Sequence, residues 1–138
     1  MADPIKPGTS RDSAMSAPPG PVIVVDDDAA VRHSLKFALE LEGLDVRAYE
    51  GGEALLADGD LPAHGCLVVD YYMPAMTGVE LVKRLRSRAI RLPAILITGK
   101  ATDDLRDRAA EAGFRQVLEK PLEDSALVEG IRSALAVA

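Results

Sequence analysis

Acidic residues follow two short apolar runs of this sequence at the points where the runs end. Asp26 and Asp27 come directly after the run at 22–25, and Asp70 comes directly after the run at 66–69. Carboxylates gathered at one place repel each other unless a cation lies among them. Mg²⁺ takes oxygen ligands and commonly keeps waters and phosphate oxygens in its coordination shell. If the two runs end side by side, these acids predict a magnesium site.

Two further polar residues follow later apolar runs. Thr98 comes after the run at 94–97, and Lys120 comes after the short stretch at 116–119. A hydroxyl and an ammonium group can contact two oxygens of a bound phosphoryl group, and a backbone N–H beside Gly99 could donate to a third. Together with a metal held by acids, these residue types indicate phosphoryl transfer.

These side chains converge only if the runs are neighbouring parallel strands. VIVV, CLVV and AILI lack polar alternation, which is typical of strands covered on both faces, and 44–49 and 116–119 complete five strands. Apolar residues at helical spacing predict five helices, which are placed at 29–42, 52–58, 78–87, after Thr102 and around Leu127–Leu135. Asp28 suits the start of the first helix. The alternation implies a doubly wound α/β fold with ligands at the carboxyl ends of its strands.

Composition limits the functions open to the chain. Its 138 residues are enough for one domain with a core. The net charge of −6 argues against direct binding of nucleic acid, which normally needs an excess of lysine and arginine. The basic stretch at 83–91 carries no aromatic residue and is interpreted as a solvated helix face. No apolar run approaches the roughly 20 residues that cross a bilayer, so we predict no membrane association.

The N-terminal residues differ in composition from the remainder. Residues 1–20 are rich in Pro, Gly, Ser and Ala without the apolar stretch of a signal peptide, so we expect a disordered leader followed by one domain at 21–138. Cys66 is the single cysteine, which favours a reducing, cytoplasmic compartment. We interpret Cys66 as a small buried hydrophobic residue and both His33 and His64 as surface residues.

Four stretches, taken in order, resemble the receiver domain of two-component response regulators, the phosphoacceptor modules of bacterial histidine-kinase signalling. They are VVDDD, VVDYYMPAMTGVEL, LITG and EAGFRQVLEKP, and the closing helix follows them as a fifth motif. The segment ITGKATDD is similar to the FixJ-like branch of that family. The resemblance covers 21–138 and implies a flavodoxin-like parallel sheet with strand order 2-1-3-4-5. It also implies a cis peptide bond between Lys120 and Pro121.

The resemblance assigns a role to each candidate site residue. Asp70 would accept the phosphoryl group from a sensor histidine kinase or a phosphotransfer protein. Asp27 and Asp70 would bind Mg²⁺ directly, together with the backbone carbonyl of Tyr72, while Asp26 would act through a metal-bound water. Two residues would contact the phosphoryl oxygens: Thr98 and Lys120.

Three positions depart from the family pattern. Val117 stands three residues before the lysine, where receivers commonly carry a Tyr or Phe ring that swings inward on activation. Tyr72 is larger than the residues often found two positions after the aspartate, and Lys100 follows Thr98 by two. These last two positions flank the path of attacking water, so we expect an altered rate of dephosphorylation, in a direction that the sequence does not define.

The resemblance also implies how a signal leaves the domain. The output face would be the fourth helix, fifth strand and fifth helix, at about 101–136, which could also form a homodimer. The protein would signal rather than turn over a substrate. The sequence leaves open whether the domain stands alone or was cut from a longer regulator.

Two alternatives to this function are considered. Phosphatases of the haloacid dehalogenase class also carry a nucleophilic Asp after a parallel strand, but they have a second Asp two residues later, where this sequence has Tyr72. A receiver-like binding module could keep the fold without the phosphorylation chemistry. The complete set of acids with Thr98 and Lys120 speaks against that second alternative.

Overall fold

The computed structural model describes residues 20–136, which alternate five strands with five helices. The strands are β1 (Val22–Val25), β2 (Val46–Tyr49), β3 (Cys66–Asp70), β4 (Ala94–Thr98) and β5 (Phe114–Glu119). The helices are α1 (Ala29–Leu41), α2 (Gly52–Ala57), α3 (Gly78–Ser87), α4 (Asp103–Ala112) and α5 (Asp124–Ala136). The predicted leader lies outside the described residues, apart from Gly20. No helix between residues 20 and 136 is long and apolar enough to cross a membrane.

All five strands run parallel in one sheet with the order β2-β1-β3-β4-β5, which confirms the predicted order 2-1-3-4-5. Strand order reverses between β1 and β3, and ligands of open α/β sheets bind at the carboxyl ends of strands at such a point. Val25 pairs with Val69, so the residues that follow them, Asp26 and Asp70, lie side by side at the carboxyl ends of adjacent strands.

The sheet is covered by apolar side chains on both faces. Ile23 and Val25 belong to one core cluster with α3 and α4, whereas Val22 and Val24 belong to a second cluster with α5. Because side chains of a strand alternate between faces, a strand buried on both sides needs apolar residues at every position. All four residues of β1 are accordingly inaccessible to solvent.

Polar side chains cap the helices that begin near the carboxyl ends of the strands. The Asp28 carboxylate accepts hydrogen bonds from the first backbone N–H groups of α1, and the Thr102 hydroxyl accepts one from the backbone of α4. Both caps satisfy N–H groups that would otherwise lack a partner, and α1 and α4 begin after Asp28 and Thr102 as the sequence predicted. Gly113 ends α4 with a left-handed φ of 102°, a conformation that favours glycine.

β5 is longer than its predicted range of 116–119. Phe114 is buried and pairs with Ala94, but the next pair joins Gln116 to Ile95, so Arg115 is an extra residue in a bulge. A bulge interrupts the alternation of apolar and polar residues along a strand. The start of β5 therefore left no regular signal in the sequence.

The three residues with no assigned chemistry lie where the sequence predicted. His33 and His64 are exposed, and Cys66 is fully buried at the start of β3. Burial raises the pKa of the Cys66 thiol to about 12, because the charged thiolate is poorly stabilised away from water.

We expect the folded protein to resist Ellman's reagent. At a pH of about 8 an ordinary thiol is partly ionised and reacts, whereas the buried Cys66 stays neutral and out of reach. Labelling should be slow in buffer and complete in denaturant, where the same thiol serves as its own control. Fast labelling of the folded chain would show that the start of β3 opens readily.

Candidate functional site

Three carboxylates meet at the edge where β1 and β3 end. One carboxylate oxygen from each of Asp26, Asp27 and Asp70 lies within 4.8 Å of the other two. Asp26 and Asp70 are buried, whereas Asp27 is exposed. The structure therefore brings together the three acids that the sequence singled out, at separations that one cation can bridge.

The loop after β1 holds Asp26 in a fixed orientation. Its carboxylate accepts a hydrogen bond of 2.9 Å from the backbone N–H of Asp28, so the helix cap and the acid support each other. The backbone carbonyl of Asp26 accepts a 2.8 Å bond from the Arg32 guanidinium, and its N–H donates to the carbonyl of Tyr49. Asp26 is thus anchored to both α1 and β2.

Lys120 reaches the acids from the end of β5. Its Nζ lies 3.2 Å from Oδ1 of Asp70, and its backbone N–H donates to the carbonyl of Thr98 at 2.8 Å. The Lys120–Pro121 peptide bond is cis, which confirms that prediction. The ammonium group offsets part of the negative charge of the cluster.

Thr98 occupies its predicted position at the end of β4 and is buried. Its hydroxyl donates to the carbonyl of Lys100 and accepts from the N–H of the same residue, both at 3.3 Å. In this conformation the hydroxyl is therefore bound to its own loop. Tyr72 lies two residues after Asp70 and exposes 72% of its surface. The role of its backbone carbonyl as a metal ligand stays a prediction.

Close packing fixes the loop between β3 and α3. A Cβ at Gly78 would lie 2.6 Å from the carbonyl oxygen of Asp70 and 2.9 Å from a methyl group of Val69, so no larger residue fits. The Thr77 hydroxyl and the Glu80 carboxylate form a capping box at the start of α3. This box was not predicted, although the Thr-x-x-Glu spacing is its usual signature.

Comparison with known proteins decides the family. Residues 22–132 match the family described as response regulator receiver domain, over most of the chain. The chain belongs to this family. The transcriptional regulatory protein FixJ of Azorhizobium caulinodans is 40% identical to it over 115 residues, covering 83% of this chain and 54% of that protein. FixJ of Rhizobium meliloti is 40% identical over 113 residues, covering 82% and 55%. The chain spans about half the length of these relatives.

Solved receiver structures share the fold. The crystal structure of FixJ-N superposes with a TM-score of 0.78 at 39% identity, covering 85% of this chain and 94% of that one. The response regulator StyR has a TM-score of 0.78 at 35% identity, covering 84% of this chain and 59% of the other. The flavodoxin-like receiver fold inferred from the motifs is thereby confirmed.

Burial and mutual repulsion make the acids of this receiver domain costly to ionise. Burial raises the pKa of Asp26 above its ordinary value, and the Asp28 N–H and the Lys120 ammonium only partly oppose it. Burial, followed by the charge of Asp26, likewise raises the pKa of Asp70, against the hydrogen bond and charge of Lys120. An added cation would relieve both effects.

Two polar contacts around the site were missed by the sequence analysis. The Glu119 carboxylate accepts a 2.8 Å hydrogen bond from the N–H of Ala101, which ties the loop before α4 to the end of β5. The Arg108 guanidinium lies within hydrogen-bonding distance of the Tyr71 hydroxyl. Each pair joins residues distant in sequence, and neither motif nor periodicity links them.

We expect Asp26→Asn to raise the free energy of unfolding in the absence of divalent metal. Asparagine keeps an oxygen that accepts from the Asp28 N–H but carries no charge to bury. Because the folded pKa of Asp26 is raised, its penalty is fully present above that pKa and absent below the unfolded value of about 3.9. The gain should therefore be visible near neutral pH and vanish in acid.

Urea unfolding in a chelator at several pH values measures this effect. Asp28→Asn is the matched control, since asparagine caps helices about as well as aspartate and Asp28 is exposed. A loss of stability in Asp26→Asn near neutral pH, or an equal gain in both variants, would contradict the prediction. Either result would show that the buried charge of Asp26 does not destabilise the fold.

Proposed function

We propose that this receiver domain accepts a phosphoryl group on Asp70 from a histidine of a sensor kinase or a phosphotransfer protein. The main support is the position of the buried Asp70 carboxylate, which lies among two other carboxylates and 3.2 Å from the Lys120 ammonium. A nucleophile beside both a cation site and a fixed ammonium suits phosphoryl transfer, whose barrier depends on positioning and on offsetting charge. Family membership supports the same proposal.

The donor set fits Mg²⁺. All three side chains offer carboxylate oxygens, which hard cations prefer, and the cluster contains no imidazole or thiolate that would favour a softer metal. We propose Asp27 and Asp70 as direct ligands with the backbone carbonyl of Tyr72, and Asp26 as a ligand through water. Bound Mg²⁺ would neutralise charge on the acids and on the phosphoryl oxygens.

The proposed reaction is a direct displacement at phosphorus. A carboxylate oxygen of Asp70 would form the new P–O bond while the P–N bond to the donor imidazole breaks. The bonding electron pair leaves with the imidazole nitrogen, which then takes a proton from water. The Lys120 ammonium, 3.2 Å from Oδ1 of Asp70, would contact one phosphoryl oxygen, and the Thr98 hydroxyl would contact a second.

Thr98 would link this chemistry to a change of conformation. Its hydroxyl must leave the backbone of Lys100 to reach a phosphoryl oxygen, which would release the loop at 99–102. Gly99 allows that loop a wide range of backbone angles. Because Val117 has no ring to reorient, we propose that this loop carries most of the rearrangement.

The released loop leads directly into α4, so we propose that the signal leaves through α4, β5 and α5. The same face is our candidate for a homodimer interface, and nucleic acid is not proposed as a direct partner of these residues. We also propose a cytoplasmic location and a signalling role rather than sustained turnover of a substrate. The single cysteine supports the proposed location, because one cysteine forms no disulfide within the chain.

Asp70→Asn should abolish phosphorylation by acetyl phosphate, because the amide cannot act as the nucleophile. Intact-mass measurement with Mg²⁺ should show one added phosphoryl group on the native chain and none on the variant. Asp107→Asn, which changes an exposed acid of α4, is the control and should behave as the native chain. Unchanged phosphorylation of Asp70→Asn would refute the assignment, and continued release of phosphate from simple esters would favour a phosphatase.

Mg²⁺ affinity should depend on Asp27 and little on Asp28. Asp28 is committed to capping α1, whereas Asp27 offers an oxygen to the acid cluster. Loss of a residue that only hydrogen-bonds to a metal ligand weakens metal binding about 10- to 100-fold. Loss of a direct ligand should cost at least as much, so Asp27→Ala should weaken Mg²⁺ binding by about tenfold or more. Titration of Mg²⁺ into Asp27→Ala and Asp28→Ala tests this, and equal losses would defeat it.

A further inference from the structure

A contact between α4 and the residue after Asp70 is not used by the chemistry above. The Nη2 and Nη1 atoms of Arg108 lie 3.3 and 3.4 Å from the Tyr71 hydroxyl oxygen. The guanidinium carbon lies over the Tyr71 ring, 5.9 Å from its centre, so the cation contacts both the phenol oxygen and the π system. Among the described residues of α4, only Arg108 forms a hydrogen bond with Tyr71.

Arg108 is also held on its own helix. Its Nη1 atom lies 3.7 Å from a carboxylate oxygen of Asp104, one turn earlier in α4. The hydrogen bond to Tyr71 is the largest cause of the raised pKa of Arg108, and the charge of Asp104 is a smaller one. The guanidinium therefore has a partner on its own helix in addition to the tyrosine.

Tyr71 in turn has a fixed backbone. Its N–H donates to the carbonyl of Ile97 at 2.8 Å, and its carbonyl accepts from the N–H of Gly78 at 3.0 Å. Its ring packs against the core and meets the ring of Tyr72 edge to face, with centres 4.8 Å apart. β4 and α3 hold the backbone of Tyr71, and the core and Tyr72 hold its ring. The Tyr71 hydroxyl is therefore well positioned to contact α4.

We propose that Arg108 is a positioning residue that holds α4 against Tyr71 and thereby opposes the rearrangement that phosphorylation of Asp70 requires. The contact occurs in the conformation in which the Thr98 hydroxyl is bound to Lys100. This inference rests on the proposed function, since it assumes that capture of Thr98 by the phosphoryl group displaces α4.

The size of the effect follows from the type of contact. Exposed contacts of a cation with an aromatic ring or an acid shift an equilibrium about two- to fivefold. A bound phosphoryl mimic shifts the conformations only by its difference in affinity for them, so weakening the competing conformation strengthens binding by the same factor. Loss of Arg108 should therefore raise the apparent affinity for the mimic about two- to fivefold.

The test measures binding of beryllofluoride, with saturating Mg²⁺, to the full chain and its variants. Arg108→Ala and Tyr71→Leu should each tighten binding, and the double variant should bind as tightly as either single one, because both changes remove the same contact. Arg108→Lys, which keeps the charge, should restore part of the native affinity. Affinity for Mg²⁺ alone should be unchanged in all variants. A change in that affinity would indicate that the substitution had distorted the metal site.

Arg106→Ala is the matched control. Arg106 is exposed on α4 two residues before Arg108, and residues at that spacing do not share a helix face. Native affinity in Arg108→Ala, additive effects in the double variant, or the same tightening in Arg106→Ala would overturn the inference. If the native chain neither binds beryllofluoride nor takes up a phosphoryl group, the proposed function fails and the role of Arg108 falls with it.

Discussion

Repulsion among three carboxylates is the constraint around which this domain is organised. Asp26 and Asp70 are brought side by side by the parallel register of β1 and β3, in which Val25 pairs with Val69. A shift of one residue in that register would turn every side chain of the strand to the opposite face. The apolar packing of both sheet faces prevents such a shift, so the stability of the core keeps mutually repelling charges together.

Lys120 and the backbone offset this repulsion only in part. The ammonium group contacts Asp70, and the N–H of Asp28 contacts Asp26, yet burial still raises the pKa of both acids. The folded chain thus holds an unfavourable arrangement of negative charge, which the proposed cation would relieve. A stable α/β sheet can thus carry a site whose negative charges would be balanced by the proposed cation.

Much of the fold and of the candidate site was predictable because both depend on local patterns. Continuous apolar runs mark strands buried on both faces, and parallel strands place Asp26, Asp70 and Thr98 at one edge. The start of β5 was not predictable, because the bulge at Arg115 breaks the alternation. The Arg108–Tyr71 contact joins residues 37 positions apart, and no spacing rule links an exposed arginine to a particular distant tyrosine.

Gly78 has a mechanical consequence for the domain. With no side chain, it lets the start of α3 rest directly on the carbonyl of Asp70 and on Val69, leaving no free space between helix and strand. This close contact resists movement of α3 relative to β3. The displacement proposed to follow phosphorylation of Asp70 would therefore fall on the other side of the site, in the loop at 99–102.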